Sequence, residues 1–184
     1  DMELLVEHLL AKPLAASQTI ELVLSNNPGI TAAGLQRILT SAVGASNLAR
    51  LDVSECNLGP SGAAFLASYI RSHGNQLQEL SAYRAALGGN GVKDIVQAAT
   101  YSVHMQSLNL TANAQHSASW MQTVGENLSA VLSKAQSLKV VRVSCPEAEI
   151  AKAQALFDGL QTRVILVPNE QNNYNRAMFL GHVH

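Results

Sequence analysis

At 184 residues, 47% hydrophobic but only 4% aromatic, the chain can bury one core, at most two, and that core must be aliphatic. Charged residues make up 14% and nearly cancel to a net charge of −1. No dense run of Lys or Arg appears, which argues against a non-specific nucleic-acid binder and a polybasic membrane anchor.

Cys56 and Cys145 stand far apart and form neither a metal pattern nor a disulfide framework. No apolar run reaches the roughly 18 residues of a membrane span, and the N-terminus lacks the basic region of a secretory signal. The expectation is a cytoplasmic protein without membrane insertion. The first residue is Asp1 rather than Met, which reads as an excised piece of a longer chain.

In chain order, Leu5, Val6, Leu9 and Leu10 share one side of a helix over Met2 to Ala11, stopped by Pro13. Residues 1–18 are therefore an N-terminal helix, either a cap or a truncated repeat. From Thr19 a pattern begins, with Leu22 and Leu24 inward and Asn27 in the turn. Pro28 and Gly29 add one residue before Ile30, Gly34 and Ile38. The next copy is the sharpest: Leu48, Leu51 and Val53, then Cys56 in the asparagine slot, Leu58, Gly62 and Leu66. A third copy has Leu77, Leu80, Ala82, Leu87, Gly91 and Ile95. A fourth has Met105, Leu108, Leu110 and Asn113, with an insertion over 115–119 before a helix carrying Val124, Leu128, Val131 and Leu132. A fifth begins at Leu138 with Val141 and Val143, but Pro146 takes the ninth position, and a short helix follows over about Glu147 to Leu160. Val164 to Val167 form a last strand closed by Pro168. Residues 168–184 are a polar tail with an apolar tip, Ala177 to Leu180, expected to dock on the last repeat.

Self-similarity at 28 to 29 residues is the mark of a stacked array in which each unit buries its faces only against its neighbours. The copies at Leu48–Ile70 and Leu77–Ala99 carry Leu-x-x-Leu-x-Leu-x-x-Asn/Cys-x-Leu, then Gly and a helix. This pattern resembles the leucine-rich repeat of the ribonuclease-inhibitor-like class. The resemblance covers roughly residues 19–167. It implies an α/β horseshoe solenoid of about five βα repeats, with a parallel sheet on the concave face and helices on the convex face.

Within that frame the slots have physical roles. Alternation turns Leu51 and Val53 inward and Arg50, Asp52 and Ser54 outward. Asn27 and Asn113 can satisfy backbone groups in the turn, and Cys56 fits the same slot. Gly34, Gly62 and Gly91 are expected to permit the sharp turn into each helix. The concave face should then show Glu21, Val23 and Ser25; Arg50, Asp52 and Ser54; Glu79, Ser81 and Tyr83; Ser107, Asn109 and Thr111; Val140, Arg142 and Ser144, with Glu55 and Arg84 at the rim.

The expected function is a non-catalytic protein-interaction module, with a protein partner, no nucleic acid, no small-molecule substrate and no cofactor. The candidate partner-binding residues are Tyr83, Arg84, Arg50, Asp52, Glu79, Asn109 and Arg142. Tyr83 beside Arg84 leads, because Tyr and Arg dominate interface hot spots. Arg50, Asp52 and Glu79 could instead pair among themselves. Trp120, the sole tryptophan, reads as packing before binding. Cys56 has a structural slot and no histidine partner, so it is not a nucleophile. Gly88 to Gly91 lack the lysine of a phosphate loop. His182 and His184 show no zinc spacing. The asparagines of Asn109–Thr111 and Asn127–Ser129 match glycosylation acceptors by chance. The resemblance also extends to Ran GTPase-activating proteins, and to the repeat domains of tropomodulin and CARMIL-type regulators. These give two alternatives, a GTPase-activating regulator and an actin-regulatory scaffold.

Overall fold

The computed structural model describes residues 20–40, 48–72, 76–113 and 124–168. The expected opening helix, Trp120, the insertion over 115–119, the docked tip and the terminal histidines lie outside these residues.

Among the described residues, six strands alternate with five α-helices. The order is β1 (Ile20–Val23), α1 (Ala32–Thr40), β2 (Leu48–Asp52), α2 (Gly59–Arg71), β3 (Glu79–Ser81), α3 (Gly88–Tyr101), β4 (Ser107–Asn109), α4 (Glu126–Leu132), β5 (Val140–Cys145), α5 (Ile150–Phe157) and β6 (Arg163–Pro168). The strands form one sheet in sequence order, every pair parallel. Parallel neighbours need a crossover, and each helix supplies one. The register places Leu22, Leu51, Leu80, Leu108, Val141 and Val164 side by side, as the repeat spacing predicts.

Those residues, with Leu24, Val53, Ala82, Leu110 and Val143, join the buried faces of the helices in one aliphatic core. In α2 the buried stripe is Gly62, Ala63, Leu66, Ala67 and Ile70; in α3 it includes Gly91, Val92, Ile95, Val96 and Ala99. Both follow the helical period that faces one side inward. Successive helices pack on one another in order.

Each of the first four strands is followed by a residue in the left-handed region: Asn26 (φ 62°), Glu55 (φ 58°), Arg84 (φ 49°) and Ala112 (φ 60°). None is glycine, so the repeat holds this strained corner with ordinary side chains. Across these corners the chain is stitched to the next repeat, as in Asn26 N–H to Ser54 O (2.9 Å) and Glu55 N–H to Tyr83 O (2.7 Å). The fifth copy departs here. Its strand runs on through Cys145, and Pro146 leads into a 3-10 turn, Glu147–Glu149, ahead of α5.

The glycines divide their work differently from the sequence expectation. The turns into α2 and α3 use Gly59 (φ 63°) and Gly88 (φ 73°). Gly62 and Gly91 lie inside the helices, where space is the constraint. A Cβ on Gly62 would fall 2.5 Å from the Leu58 Cβ, and one on Gly91 would fall 2.5 Å from the Ala63 Cβ of the neighbouring helix. Gly91 thus sets how closely α3 approaches α2.

Candidate partner-binding face

With the helices on one side, the other side of the sheet presents three rows of side chains. The first row, in register from β1 to β6, is Glu21, Arg50, Glu79, Ser107, Val140 and Arg163. Glu21, Arg50 and Arg163 are exposed and the other three half-buried. Arg50 bridges its neighbours, with Nε 3.3 Å from Glu79 Oε1 and Nη1 4.0 Å from Glu21 Oε2. Such solvent-facing pairs add about 0–1 kcal/mol each.

The second row is Val23, Asp52, Ser81, Asn109, Arg142 and Ile165. Val23 is exposed, and Asp52, Arg142 and Ile165 are half-buried. Asp52 accepts the Ser54 N–H at 2.9 Å, which fixes its carboxylate over the turn. Ser81 and Asn109 are buried.

The third row corrects the sequence expectation most. Ser54, Tyr83, Thr111 and Ser144 are all buried, Tyr83 at only 4% exposure. Ser54, Tyr83 and Thr111 lie where their strands leave the sheet for the left-handed corner, while Ser144 is still within β5, and the groups at these positions bond sideways instead of facing out. Ser54 Oγ lies 2.9 Å from Ser81 Oγ and accepts the Tyr83 N–H at 3.2 Å. Asn109 Nδ2 donates to Ser81 Oγ at 3.4 Å, and Thr111 Oγ1 donates to Asn109 Oδ1 at 2.9 Å. Ser144 Oγ accepts the Ala112 N–H at 2.7 Å. The result is a buried polar ladder running across the strands, each rung satisfied by a neighbour.

Two candidates therefore change character. Tyr83 is no protruding anchor: its ring is buried and Arg84, itself exposed, places Cζ 5.5 Å from the ring centroid. Asn109 is a rung of the ladder, so neither a partner nor a glycosylating enzyme meets its side chain in the folded chain. Arg50, Asp52, Glu79 and Arg142 do reach the open face and lie together on it. Arg163 was missed, because the sequence pattern starts the last strand at Val164; the strand begins one residue earlier and puts Arg163 in the first row.

The thiols face inward. Cys56 donates to the Leu24 carbonyl at 3.2 Å. Burial, more than the nearby Asp52 charge, raises its pKa, while the backbone bond from Asn27 opposes this. Burial and then Glu149 push Cys145 up to about 11. Both cysteines are free and buried, a setting for inert rather than nucleophilic thiols. Among the described residues no group of three or more His, Cys, Asp or Glu side chains could hold a metal ion, and no helix is long and apolar enough to cross a membrane.

The family model of the leucine-rich repeat matches residues 44–67, the segment that contains β2 and the start of α2. This match supports a leucine-rich repeat. Such repeats are typically non-catalytic interaction modules. No curated protein matches the chain.

Proposed function

We propose that the chain is a protein-interaction module that docks a polypeptide partner on the open face of its sheet. One observation carries this reading. Arg50, Asp52, Glu79 and Arg142, on three different strands, reach a single face in register, while the described helices cover the opposite side of the sheet. A sheet with helices on one side normally hides its other side or uses it. Here the first two rows stay accessible at Glu21, Val23, Arg50 and Arg163, and the buried ladder beneath the third row makes a stiff floor.

The ribonuclease-inhibitor-like class and a solenoid shape are part of the same proposal. A period of 28 to 29 residues from Leu22 through Leu51 and Leu80 to Leu108, and a full helix in the second and third repeats, support them. A cytoplasmic location fits two free, buried cysteines. No observation favours the GTPase-activating or the actin-regulatory alternative over a general interaction module.

The test is a photo-crosslinking map. A crosslinking amino acid is placed singly at Glu21, Asp52 and Ser107 on the open face, and at Asp94 and Gln97 on the exposed side of α3. The proposal expects one partner band in native lysate from the first set and none from the second. Adducts confined to Asp94 and Gln97 would move the interface to the helices and end this reading.

A further inference from the structure

The last two strands bring two arginines together on the open face. Arg163 pairs with Val140, and Arg142 sits two residues farther along β5, opposite Ile165. One strand across and two residues along is a diagonal of about 8 Å between backbones, within reach of two long side chains. Neither guanidinium makes an ion pair among the described residues; the salt bridges on this face belong to Arg50. Arg142 is half-buried and Arg163 exposed. Desolvation, then the Arg163 charge, lowers the Arg142 pKa, and Glu79 only partly offsets the two. A guanidinium nevertheless remains a cation in proteins.

The opposite half of the face has the opposite balance. On β1 to β3 the first two rows hold Glu21, Asp52 and Glu79 against Arg50 alone. A partner lying across the strands meets complementary charge only if its acidic part covers β5 and β6. Charge patterns of this kind fix the orientation of a partner more than they add affinity.

We infer that the face over β5 and β6 receives a carboxylate-bearing polypeptide segment, its acidic side chains shared between Arg142 and Arg163. This rests on the interaction reading above and names the partner's chemistry. Guanidinium forks grip carboxylates in two-point contacts that an ammonium cannot make. An extended segment sets alternate side chains about 7 Å apart, close to the arginine diagonal. The matching pattern is therefore two acids separated by one residue. Val140 and Ile165, both half-buried, give the intervening backbone an apolar bed.

The test uses the full chain and fluorescein-labelled peptides with a Gly/Ser background, carrying Glu-x-Glu, Gln-x-Gln or phosphoserine-x-phosphoserine, read by anisotropy at low salt. The Glu-x-Glu peptide should bind, the Gln-x-Gln peptide should not, and affinity should fall as salt is added. Arg142→Gln or Arg163→Gln should each weaken binding about tenfold, the loss of roughly one charge-assisted contact. Arg71→Gln, on α2, should change nothing. Each variant is checked for an unchanged melting temperature, and Arg163→Gln, at an exposed site, serves should Arg142→Gln fail to fold. Glu-x-Glu binding that survives the double variant, no Glu-x-Glu binding at all, or binding of the phosphoserine peptide alone would each overturn the inference. The crosslinking map separates the two levels. Adducts retained at Glu21, Asp52 and Ser107 with a negative peptide result remove only the acidic partner, whereas their loss removes the interaction reading itself.

Discussion

Asn113 and Cys56 occupy the same slot in different repeats, and each bonds the carbonyl one residue past the strand of the preceding repeat. Asn113 Nδ2 donates to Ala82 O at 2.6 Å, and Cys56 Sγ donates to Leu24 O at 3.2 Å. The asparagine does far more. It also donates to Leu110 O and Thr111 O, and its Oδ1 accepts the N–H groups of Ala85 and Leu87. Ala85 is itself the third repeat's residue in this slot and has no side-chain donor, so Asn113 closes two turns at once. Asn113→Ala leaves several buried groups unsatisfied and should cost about 3 kcal/mol. Cys56→Ala removes one weak donor and a small apolar volume and should cost about 1 kcal/mol. Urea unfolding of both variants checks the order; equal costs would show that the slot is filled for packing alone.

The Gly91–Ala63 contact predicts a compensating pair. Gly91→Ala places a methyl 2.5 Å from the Ala63 Cβ, and neither group can rotate away. Despite alanine's better helix propensity, overpacking should leave the variant about 1–2 kcal/mol less stable. Ala63→Gly in the same chain vacates that volume, so the double variant should recover part of the loss. A double-mutant cycle with no coupling would mean that α2 and α3 shift apart freely, contrary to the close approach seen here.

Much of the scaffold is legible in the sequence because a period of two along the strands and 28 to 29 between copies are both set by burial. Leu51 and Val53, Leu80 and Ala82, and Leu108 and Leu110 lie where alternation puts them. Alternation fails on the open face, since it decides which side a residue faces and not whether its neighbours close over it. Ser81 and Asn109 share a row with the exposed Val23, yet both are buried because small polar groups on adjacent strands can reach one another. Gly62 and Gly91 depart from the turn expectation for a related reason. Their demand comes from a neighbouring side chain, Leu58 in one case and Ala63 on another helix in the other, and no local turn rule contains it. The proline at the ninth position of the fifth copy, by contrast, is a true signal: the copies with Cys56 and Ala85 in that slot keep the left-handed corner, whereas at Pro146 the chain turns into a 3-10 helix instead.

Burial of Tyr83 reverses the outcome expected of its replacement. An exposed anchor could be removed without harm to the fold. A side chain at 4% exposure beneath the Arg84 guanidinium should instead act as core, and Tyr83→Ala should lose about 3 kcal/mol. Arg84→Ala leaves the corner conformation in place and should cost less than about 1 kcal/mol. Thermal unfolding of the two variants distinguishes the cases. Full stability in Tyr83→Ala would restore it as a surface residue and as a binding candidate.

The thiols give a prediction in pH. Cys145 is fully buried and its pKa stands at about 11, against an ordinary value of 9.0. Between these values the native state keeps a proton that the unfolded chain releases. Stability therefore holds in full below about pH 9 and falls as pH rises toward 11. Cys56 shifts in the same direction and adds to this slope. Unfolding free energies across that window should decline more steeply for the parent chain than for Cys145→Ala, which subtracts the tyrosine and lysine titrations common to both. At pH 8 neither thiol should react with a disulfide reagent in the native state, and both should react in denaturant. Rapid native modification of Cys145, or identical slopes for parent and variant, would show that its sulfur is solvated and that burial is not what holds the proton.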